Sequence, residues 1–209
     1  MGKILTTIGL FAALATAAAL LPGSALAGQP VTQTLTPPPP AFEICKAIGS
    51  GTLCQGSRVL VEPLFDTGIV CGSGASAFDL YYGDTIDQVG RRTYNLDGNL
   101  TNRFIEERYT STGFVNPVTG ASLPATAHDV ISDILAVPGD GSSTIETTTG
   151  QFIVTLPESG ALLLNVGRVV QRAADGFIES IAGPHQFLDL INGDPQVTQR
   201  VCDALGAQP

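Results

Sequence analysis

The hydrophobic and polar positions between Asn99 and Ala182 fall into short segments of strand character, and no helical period occurs among them. In the clearest case, Phe152, Val154 and Leu156 share one face at a period of two. β-Branched and aromatic residues in the other segments are typical of strands. The predicted strands are Leu100–Thr112, Thr126–Val137, Ser143–Thr149, Phe152–Leu156, Ala161–Ala173 and Phe177–Ala182.

Turn-forming residues close these segments, because proline removes a donor from the strand ladder and glycine permits positive φ. The turn signals recur at intervals of roughly 12 to 20 residues and leave no helix-sized segment between them. The pattern predicts an all-β fold: an antiparallel meander that closes into a small barrel or, alternatively, forms a β-sandwich. The turns are Asn116–Gly120, Pro138–Gly141, Pro157–Gly160 and Asp175-Gly176.

The strand pattern is less regular on the amino-terminal side of this stretch. Arg58–Phe65 is rich in apolar residues but contains Pro63, which predicts an edge strand or a bulge. Two short strands are predicted near Phe78–Tyr82 and Arg91–Tyr94.

The last residues of the chain change to a helical pattern. Asp194-Pro195 supplies an N-cap and a first-turn proline, and the apolar residues that follow recur every four positions. These features predict one short amphipathic helix, Gln196–Leu205, packed on the sheet. Its apolar stripe is Val197, Val201 and Leu205.

Met1–Ala27 has the order of a secretory signal peptide, with a basic residue near the start and an apolar run over Ile8–Leu21. In Ala25-Leu26-Ala27, the small residues Ala25 and Ala27 then form a cleavage site before Gly28. A retained transmembrane anchor would need roughly 20 apolar residues, and Pro22-Gly23 ends the run before that length. We therefore predict a secreted, extracellular protein with no membrane span in the mature chain.

Gly28–Ala41 is rich in threonine and contains the four consecutive prolines of Pro37–Pro40. Such a composition favours extended polyproline II, so the segment is predicted to be a linker without fixed structure that holds the domain away from its site of export. The remaining residues, 42–209, are long enough to form one β-domain with its own core.

The chain contains four cysteines, which an oxidising compartment would join as two disulfides. Three connectivities are possible. The loop between Cys45 and Cys54 carries glycine and serine and favours a local bridge, which leaves Cys71 to fix the carboxy-terminal segment through Cys202. We predict the pairs Cys45–Cys54 and Cys71–Cys202.

The net charge of the chain argues against anionic partners. Without Lys3, the chain has 9 Lys and Arg residues against 19 Asp and Glu residues, a formal net charge of −10. Such acidity argues against nucleic acid or anionic membranes as partners and is typical of a protein that stays soluble after export.

One predicted strand is charged on both faces, because Glu106 and Arg108 share one parity while Arg103 and Glu107 share the other. A barrel with a polar lumen would explain this pattern, and so would a strand end that extends into water with exposed ion pairs. Arg168 and Arg172 could meet these carboxylates if both strands faced one interior. The candidate ligand-binding residues are Glu106, Arg108, Tyr109, His128 and Arg168.

The sequence contains no assembled catalytic or metal-binding motif. A Ser-His-Asp triad would require His128 or His185, but no G-x-S-x-G elbow is present. No C-x-x-C occurs, the two histidines are not spaced as ligand pairs, and the Asp-Gly turns do not extend into calcium-binding loops. We predict no catalytic residues, no metal and no cofactor.

Five short motifs occur between Gly98 and Leu205: Gly98-Asn99-Leu100-Thr101, Asn116–Gly120, Asn165-Val166-Gly167-Arg168, Gly183-Pro184-His185 and Val201–Leu205. Together they resemble a group of exported, uncharacterised actinobacterial β-barrel-like proteins. The similarity covers roughly Cys71 to Leu205, so Cys45 and Cys54 lie outside it. It implies a barrel-like fold and supports the Cys71–Cys202 pair, and the group has no assigned activity to transfer.

Three functions are compatible with these observations. The first is an exported, non-catalytic β-domain that binds a small ligand or an extracellular protein partner. The second is a structural or interaction protein of the cell envelope. The third is a small-barrel enzyme of cyclase or isomerase type that uses residues in a lumen, such as Glu106, Glu107, Tyr109 or His128. A lumen with convergent polar groups would favour ligand binding or catalysis over a structural role.

Overall fold

The computed structural model describes residues 31–156 and 160–206. Its eight strands are β1 (Ile44–Ile48), β2 (Gly51–Cys71), β3 (Phe78–Tyr94), β4 (Leu100–Val115), β5 (Ser122–Leu135), β6 (Thr144–Leu156), β7 (Gly160–Arg172) and β8 (Ile178–Ala182). They form one antiparallel sheet in which each strand pairs with the next along the chain. The predicted meander is confirmed, and the single sheet differs from the two sheets of a sandwich. Within the described residues, β8 does not pair with β1 or β2, so the sheet is not closed.

Several strands are longer than predicted. β3 joins the two strands predicted near Phe78–Tyr82 and Arg91–Tyr94, and β6 continues through Gly150. Pro63 lies at a shift in the β2–β3 register between Glu62 and Phe65, which confirms the predicted bulge. The predicted signal peptide, its cleavage site before Gly28 and residues 157–159 of one predicted turn lie outside the described residues.

The sheet curls strongly around one face, which we call the inner face. β3 and β6 are separated by two strands, so in a flat sheet three spacings of about 4.8 Å would place them roughly 14 Å apart. The rings of Tyr82 on β3 and Phe152 on β6 nevertheless have centroids only 6.4 Å apart. Because these side chains meet across the inner face, the sheet must bend around them.

Two apolar clusters occupy opposite ends of the inner face. The larger, which we call the helix-side core, takes buried side chains from all six strands from β2 to β7 and from the carboxy-terminal helices. The smaller, which we call the amino-terminal core, contains Cys54, Tyr94, Leu100 and Leu135, with Leu35 packed against it. The helix-side core includes Leu80, Tyr82, Phe114, Phe152, Leu163, Leu190 and Val201.

The predicted helix is confirmed as α2 (Pro195–Ala204), and a shorter helix, α1 (Gln186–Ile191), precedes it. The Asp194 carboxylate caps α2 by accepting hydrogen bonds from the backbone N–H groups of Gln196 and Val197, each 2.9 Å long. The predicted stripe of Val197, Val201 and Leu205 is buried. α1 was not predicted, because six residues are too few for a visible helical period.

Both predicted disulfides are present. Cys45–Cys54 joins paired positions on β1 and β2, and Cys71–Cys202 joins the end of β2 to α2 with 5.2 Å between its Cα atoms. α2 also contacts β7. The helix therefore lies between two strands that are far apart in the order of the sheet, which is possible only because the sheet curls.

The described part of the predicted linker, residues 31–41, packs against the sheet. The backbone of Thr36 forms two hydrogen bonds of 2.8 Å, with Gly98 and Leu100, and the Tyr94 hydroxyl donates to the carbonyl of Pro37. Leu35 contacts the amino-terminal core. The expectation that Gly28–Ala41 has no fixed structure is thus wrong for these residues, because the β3–β4 turn supplies backbone partners that polyproline II lacks.

The next residues, Phe42 and Glu43, cross the inner face where two strands carry glycine. A Cβ atom at Gly56 would collide with the Phe42 carbonyl oxygen, and one at Gly90 would lie 2.9 Å from Glu43 Oε1. Gly56 and Gly90 are direct cross-strand neighbours. Glycine at both positions allows residues 31–43, which we call the amino-terminal segment, to cover this end of the inner face.

We expect Gly56→Ala to lower the free energy of unfolding by about 1 to 3 kcal/mol, because a backbone atom of Phe42 must move to admit the methyl group. Gly49→Ala is the matched control, since a Cβ atom there meets nothing within 4 Å. Urea unfolding of both variants measures the difference. Equal stability of the two variants would show that the segment does not depend on this close approach.

Candidate functional site

The middle of the inner face, between the two cores, is polar and half-buried. We call it the inner band. One cross-strand row in it runs from β2 to β7. Ile105 and Ile131 also point to this face, and they too remain partly exposed whereas the residues of both cores are buried. Part of the concave side of the sheet is therefore accessible to solvent, although Gln88 in the same region is buried. The row consists of Arg58, Gln88, Glu107, Asp129, Gly150 and Gly167.

A chain of side-chain hydrogen bonds follows this row. Arg58 Nε donates to Gln88 Oε1 over 2.7 Å, and Gln88 Nε2 donates to Glu107 Oε1 over 2.6 Å. The Tyr109 hydroxyl donates to the other oxygen of the Glu107 carboxylate over 3.3 Å. Burial raises the pKa of Tyr109, with a further contribution from Glu107, so its hydroxyl remains a donor. The chain fixes the Glu107 carboxylate toward the interior.

Asp84 lies at the border between the inner band and the helix-side core. Its side chain is 8% exposed, and its Oδ1 atom has no hydrogen-bond partner. Burial, followed by the nearby carboxylate of Glu62, raises the pKa of Asp84, and the Tyr82 hydroxyl partly offsets this increase. Burial of a carboxylate without full hydrogen bonding is costly, so this position is a strong candidate for contact with a ligand.

Asp129, like Asp84 and Asp133, is a carboxylate with a raised pKa. Burial, followed by the charge of Glu107, raises its pKa to about 6. The strand opposite has Gly150 at the paired position, and a Cβ atom there would collide with Asp129 Oδ1. Glycine therefore provides the space that Asp129 occupies beside Glu107.

We expect Asp129→Asn to stabilise the protein by about 1 to 2 kcal/mol near pH 7, less than the full shift implies because water still reaches the carboxylate. The folded-state pKa of Asp129 lies above its unfolded value, so the native state keeps its proton to a higher pH than the unfolded chain does. The free energy of unfolding of the wild type therefore falls as pH rises from about 4 to about 6. The gain should therefore vanish near pH 4. Urea unfolding at both pH values measures it, and a gain independent of pH would contradict this electrostatic cause.

A compensated ionic group separates the inner band from the amino-terminal core. Arg103 Nε donates to Asp133 Oδ2, and Arg103 Nη2 lies 3.8 Å from Glu146 Oε2. Gln171 Nε2 donates to Glu146 Oε1 over 2.7 Å, and Arg92 pairs with Glu43 at 3.2 Å. These carboxylates have cationic partners within the chain, although Glu43 Oε2 and Asp133 Oδ1 each lack a hydrogen-bond partner. The paired charges make the group a structural boundary of the site.

An aromatic pocket of about 180 Å³ lies on the other side of the band, beneath α1. The rings of Phe152 and Phe187 are 4.6 Å apart, and the Tyr82 ring lies 5.2 Å from that of Phe114. The Tyr82 hydroxyl accepts a hydrogen bond from Thr112 over 2.8 Å. Tyr82 therefore belongs to both the pocket and the polar region around Asp84. The lining residues include Phe65, Ile69, Tyr82, Phe114, Phe187 and Leu190.

The candidate residues identified from the sequence divide between the two faces. Arg108 Nη2 donates to Glu106 Oε1 over 2.9 Å, and His128 Nε2 lies 3.2 Å from the same oxygen. These three residues have the parity opposite to Glu107, so they lie on the outer face, where Arg108 and then His128 lower the pKa of Glu106. Tyr109 alone points into the inner band.

Arg168 lies on the outer face, in the same cross-strand row as Glu106. The row passes from Glu106 through Val130 and Thr149 to Arg168, so two strands separate the charged groups by roughly 14 Å. Arg168 therefore does not meet these carboxylates across an interior. The assignment of Glu106 and Arg108 to one face, and of Arg103 and Glu107 to the other, is confirmed.

The sequence analysis did not single out Asp84, Gln88 and Asp129. The sequence of β3 does contain a signal for Asp84 and Gln88. Both residues share the parity of Phe78 and Leu80, which are buried. Polar residues at core positions of a strand indicate either a site or a buried network. The sequence predicts strands only near Phe78–Tyr82 and Arg91–Tyr94, so Asp84 and Gln88 fall between them and their common parity with the core is not visible.

Residues 31–156 and 160–206 contain no group of three or more His, Cys, Asp or Glu residues placed to hold a metal ion. No helix in the same ranges has the length and apolar character needed to cross a bilayer.

A scan against protein-family models, a search of curated proteins and a search of solved structures each return no match.

Proposed function

We propose that this protein is an exported, non-catalytic β-domain that binds a small molecule on the concave inner face of its sheet. The observation that carries the proposal is the combination of a ring-sized aromatic pocket with an adjoining polar band that water reaches. A purely structural barrel would fill this region with apolar side chains. A few placed polar groups beside an apolar pocket are typical of ligand sites.

The pocket volume sets the size of the ligand's apolar part. A cavity of about 150 Å³ lined by apolar residues is large enough to bind benzene. The 180 Å³ pocket beneath α1 therefore suits one ring of that size. Substituents on the ring would extend past Tyr82 toward Asp84 and the inner band.

The rest of the chain supports an extracellular setting. Its two disulfides suit an oxidising compartment, and the signal-peptide pattern of Met1–Ala27 suits export. We further propose that the curled sheet acts as a barrel whose ends are covered by α1 and α2 on one side and by residues 31–43 on the other. We also propose, from the short motifs between Gly98 and Leu205, that the chain is related to exported actinobacterial β-barrel-like proteins.

Saturation-transfer NMR with 2-phenylethanol, a neutral aromatic alcohol, tests ligand binding directly. We expect binding to the wild type and at least a tenfold loss of affinity in Ile191→Trp, because Ile191 lines the pocket and its 57% exposure allows a larger side chain without core strain. Leu96→Trp is the control, since this 70% exposed residue lies in the β3–β4 turn beside the amino-terminal core. Equal binding by both variants, or no binding by the wild type, would refute the pocket as the site.

A further inference from the structure

The charges on the inner face limit what the pocket can bind. Four carboxylates point toward the region between the ionic group and the aromatic pocket: Glu62, Asp84, Glu107 and Asp129. One guanidinium, that of Arg58, points to the same region. Arg58 is engaged by Gln88 and lies over the Phe42 ring, with 4.7 Å from its Cζ atom to the ring centroid. The region is therefore strongly anionic.

We infer that the ligand is an organic cation, a protonated amine carried on a small aromatic or aliphatic ring, with its ammonium group at Asp84. This inference rests on the proposed ligand-binding function and names its chemical class. Asp84 Oδ1 is more than nine-tenths buried and lacks a hydrogen-bond donor, which an ammonium group would supply. A charge-assisted hydrogen bond of this kind is stronger than a bond between neutral groups.

The aromatic rings next to Asp84 favour a cation as well. Tyr82 precedes Asp84 on the same face of β3, and its ring packs against Phe114 and Phe152. The face of an aromatic ring carries negative charge density and attracts ammonium groups within about 6 Å. A cation placed between these rings and Asp84 would receive both contributions, whereas an anion would be repelled by every carboxylate of the inner band.

An organic cation explains the arrangement better than a metal ion does. The carboxylates belong to four successive strands, and in the described residues they do not converge into a metal-binding group. Glu107 is already held by Gln88 and Tyr109. An ammonium group has three N–H donors and does not require a convergent set of carboxylates, and the more distant carboxylates contribute through their charge.

The raised pKa values are consistent with this occupant. Burial raises the pKa of both carboxyl groups, with a further contribution from Glu62 at Asp84 and from Glu107 at Asp129, so the charged form of each is disfavoured. An ammonium group beside Asp84 would favour its charged form. Perturbed acids of this kind cluster at functional sites.

The test compares two ligands of nearly the same shape, 2-phenylethylammonium and neutral 2-phenylethanol, by calorimetric or NMR titration near pH 7. We expect the ammonium to bind at least tenfold more tightly. Asp84→Asn should remove this preference and leave the affinity for the alcohol within about twofold. Asp87→Asn is the matched control, because Asp87 lies on the same strand but is exposed on the outer face.

Glu62→Gln provides a second variant that cannot disturb the core, since Glu62 is exposed. It should weaken only the ammonium, by about threefold, through loss of one more distant charge. Equal affinities for the two ligands, unchanged in Asp84→Asn, would overturn the organic cation and leave the ligand-binding pocket standing. Failure of both ligands to bind the wild type would overturn the pocket and this inference together.

Discussion

Replacement of both Cys71 and Cys202 by alanine is expected to lower the free energy of unfolding by about 4 to 5 kcal/mol. The bridge spans 131 residues of sequence. In the chain-entropy treatment, a bridge of this span strongly restricts the unfolded chain. Its loss would also release α2, which covers the helix-side core. Chemical denaturation of the oxidised wild type and the double variant gives the difference.

The second bridge supplies the matched control. Cys45–Cys54 spans only 9 residues and joins two strands that are already paired. The same expression gives about 2 to 3 kcal/mol for its replacement by alanines, roughly half the effect of the long bridge. If the two double variants lose equal stability, the closure of the long loop is not what holds α2 in place.

Phe152→Ala is expected to cost about 3 to 5 kcal/mol. The ring of Phe152 is buried and contacts the rings of Tyr82, Phe114 and Phe187, so it connects β6 with β3, β4 and α1 across the curl. Its removal leaves a cavity at the point where the opposite sides of the sheet meet. Unfolding in urea, followed by far-ultraviolet circular dichroism, measures the loss.

Phe104→Ala applies the same substitution on the outer face. Phe104 is 37% exposed, and its ring lies 5.8 Å from the Arg91 guanidinium carbon. We expect this variant to lose less than about 1 kcal/mol. A loss for Phe152→Ala no larger than that for Phe104→Ala would show that the inner face is not closed around the aromatic cluster.

Local chemistry in the sequence accounts for the order and type of the elements. The turn at Asn116–Gly120, the bulge at Pro63 and the cap at Asp194 each have an effect confined to a few residues, and each was predicted correctly. The two disulfides were predicted as well. None of these signals carries information about how far the sheet curls.

The sequence could not predict which residues lie together on the concave face, because this depends on how the sheet curls. Period two identifies the residues that share a face, and it separated Glu106 from Glu107 correctly. It does not identify which face becomes concave, because that depends on contacts such as Tyr82 with Phe152, which are distant in sequence. The prediction therefore grouped Glu106, Arg108 and His128 with Tyr109, although the first three face outward.

The amino-terminal segment shows the same limitation in another form. Threonine and proline gave it the composition of a linker, and nothing within the segment indicates a partner. Its contacts depend on the β3–β4 turn and on the absence of side chains at Gly56 and Gly90. Composition describes a segment alone, whereas docking depends on the surface that the rest of the chain presents.

Under the proposed function, the inner band is an anionic space that is accessible to water. The chain contains no tryptophan, so Tyr109→Trp places a single fluorescent reporter on the inner face. Quenching by caesium and iodide ions then reports both access and local charge. The Phe104→Trp variant provides an outward reference.

We predict that caesium quenches the tryptophan at position 109 clearly, and that the ratio of caesium to iodide quenching there is several-fold larger than at position 104, because the carboxylates of the inner band attract cations and repel anions. Absence of quenching by either ion at position 109 would show a packed interior. Quenching by iodide as effective as quenching by caesium would show that the interior is not anionic. Either result would contradict the ligand site described above.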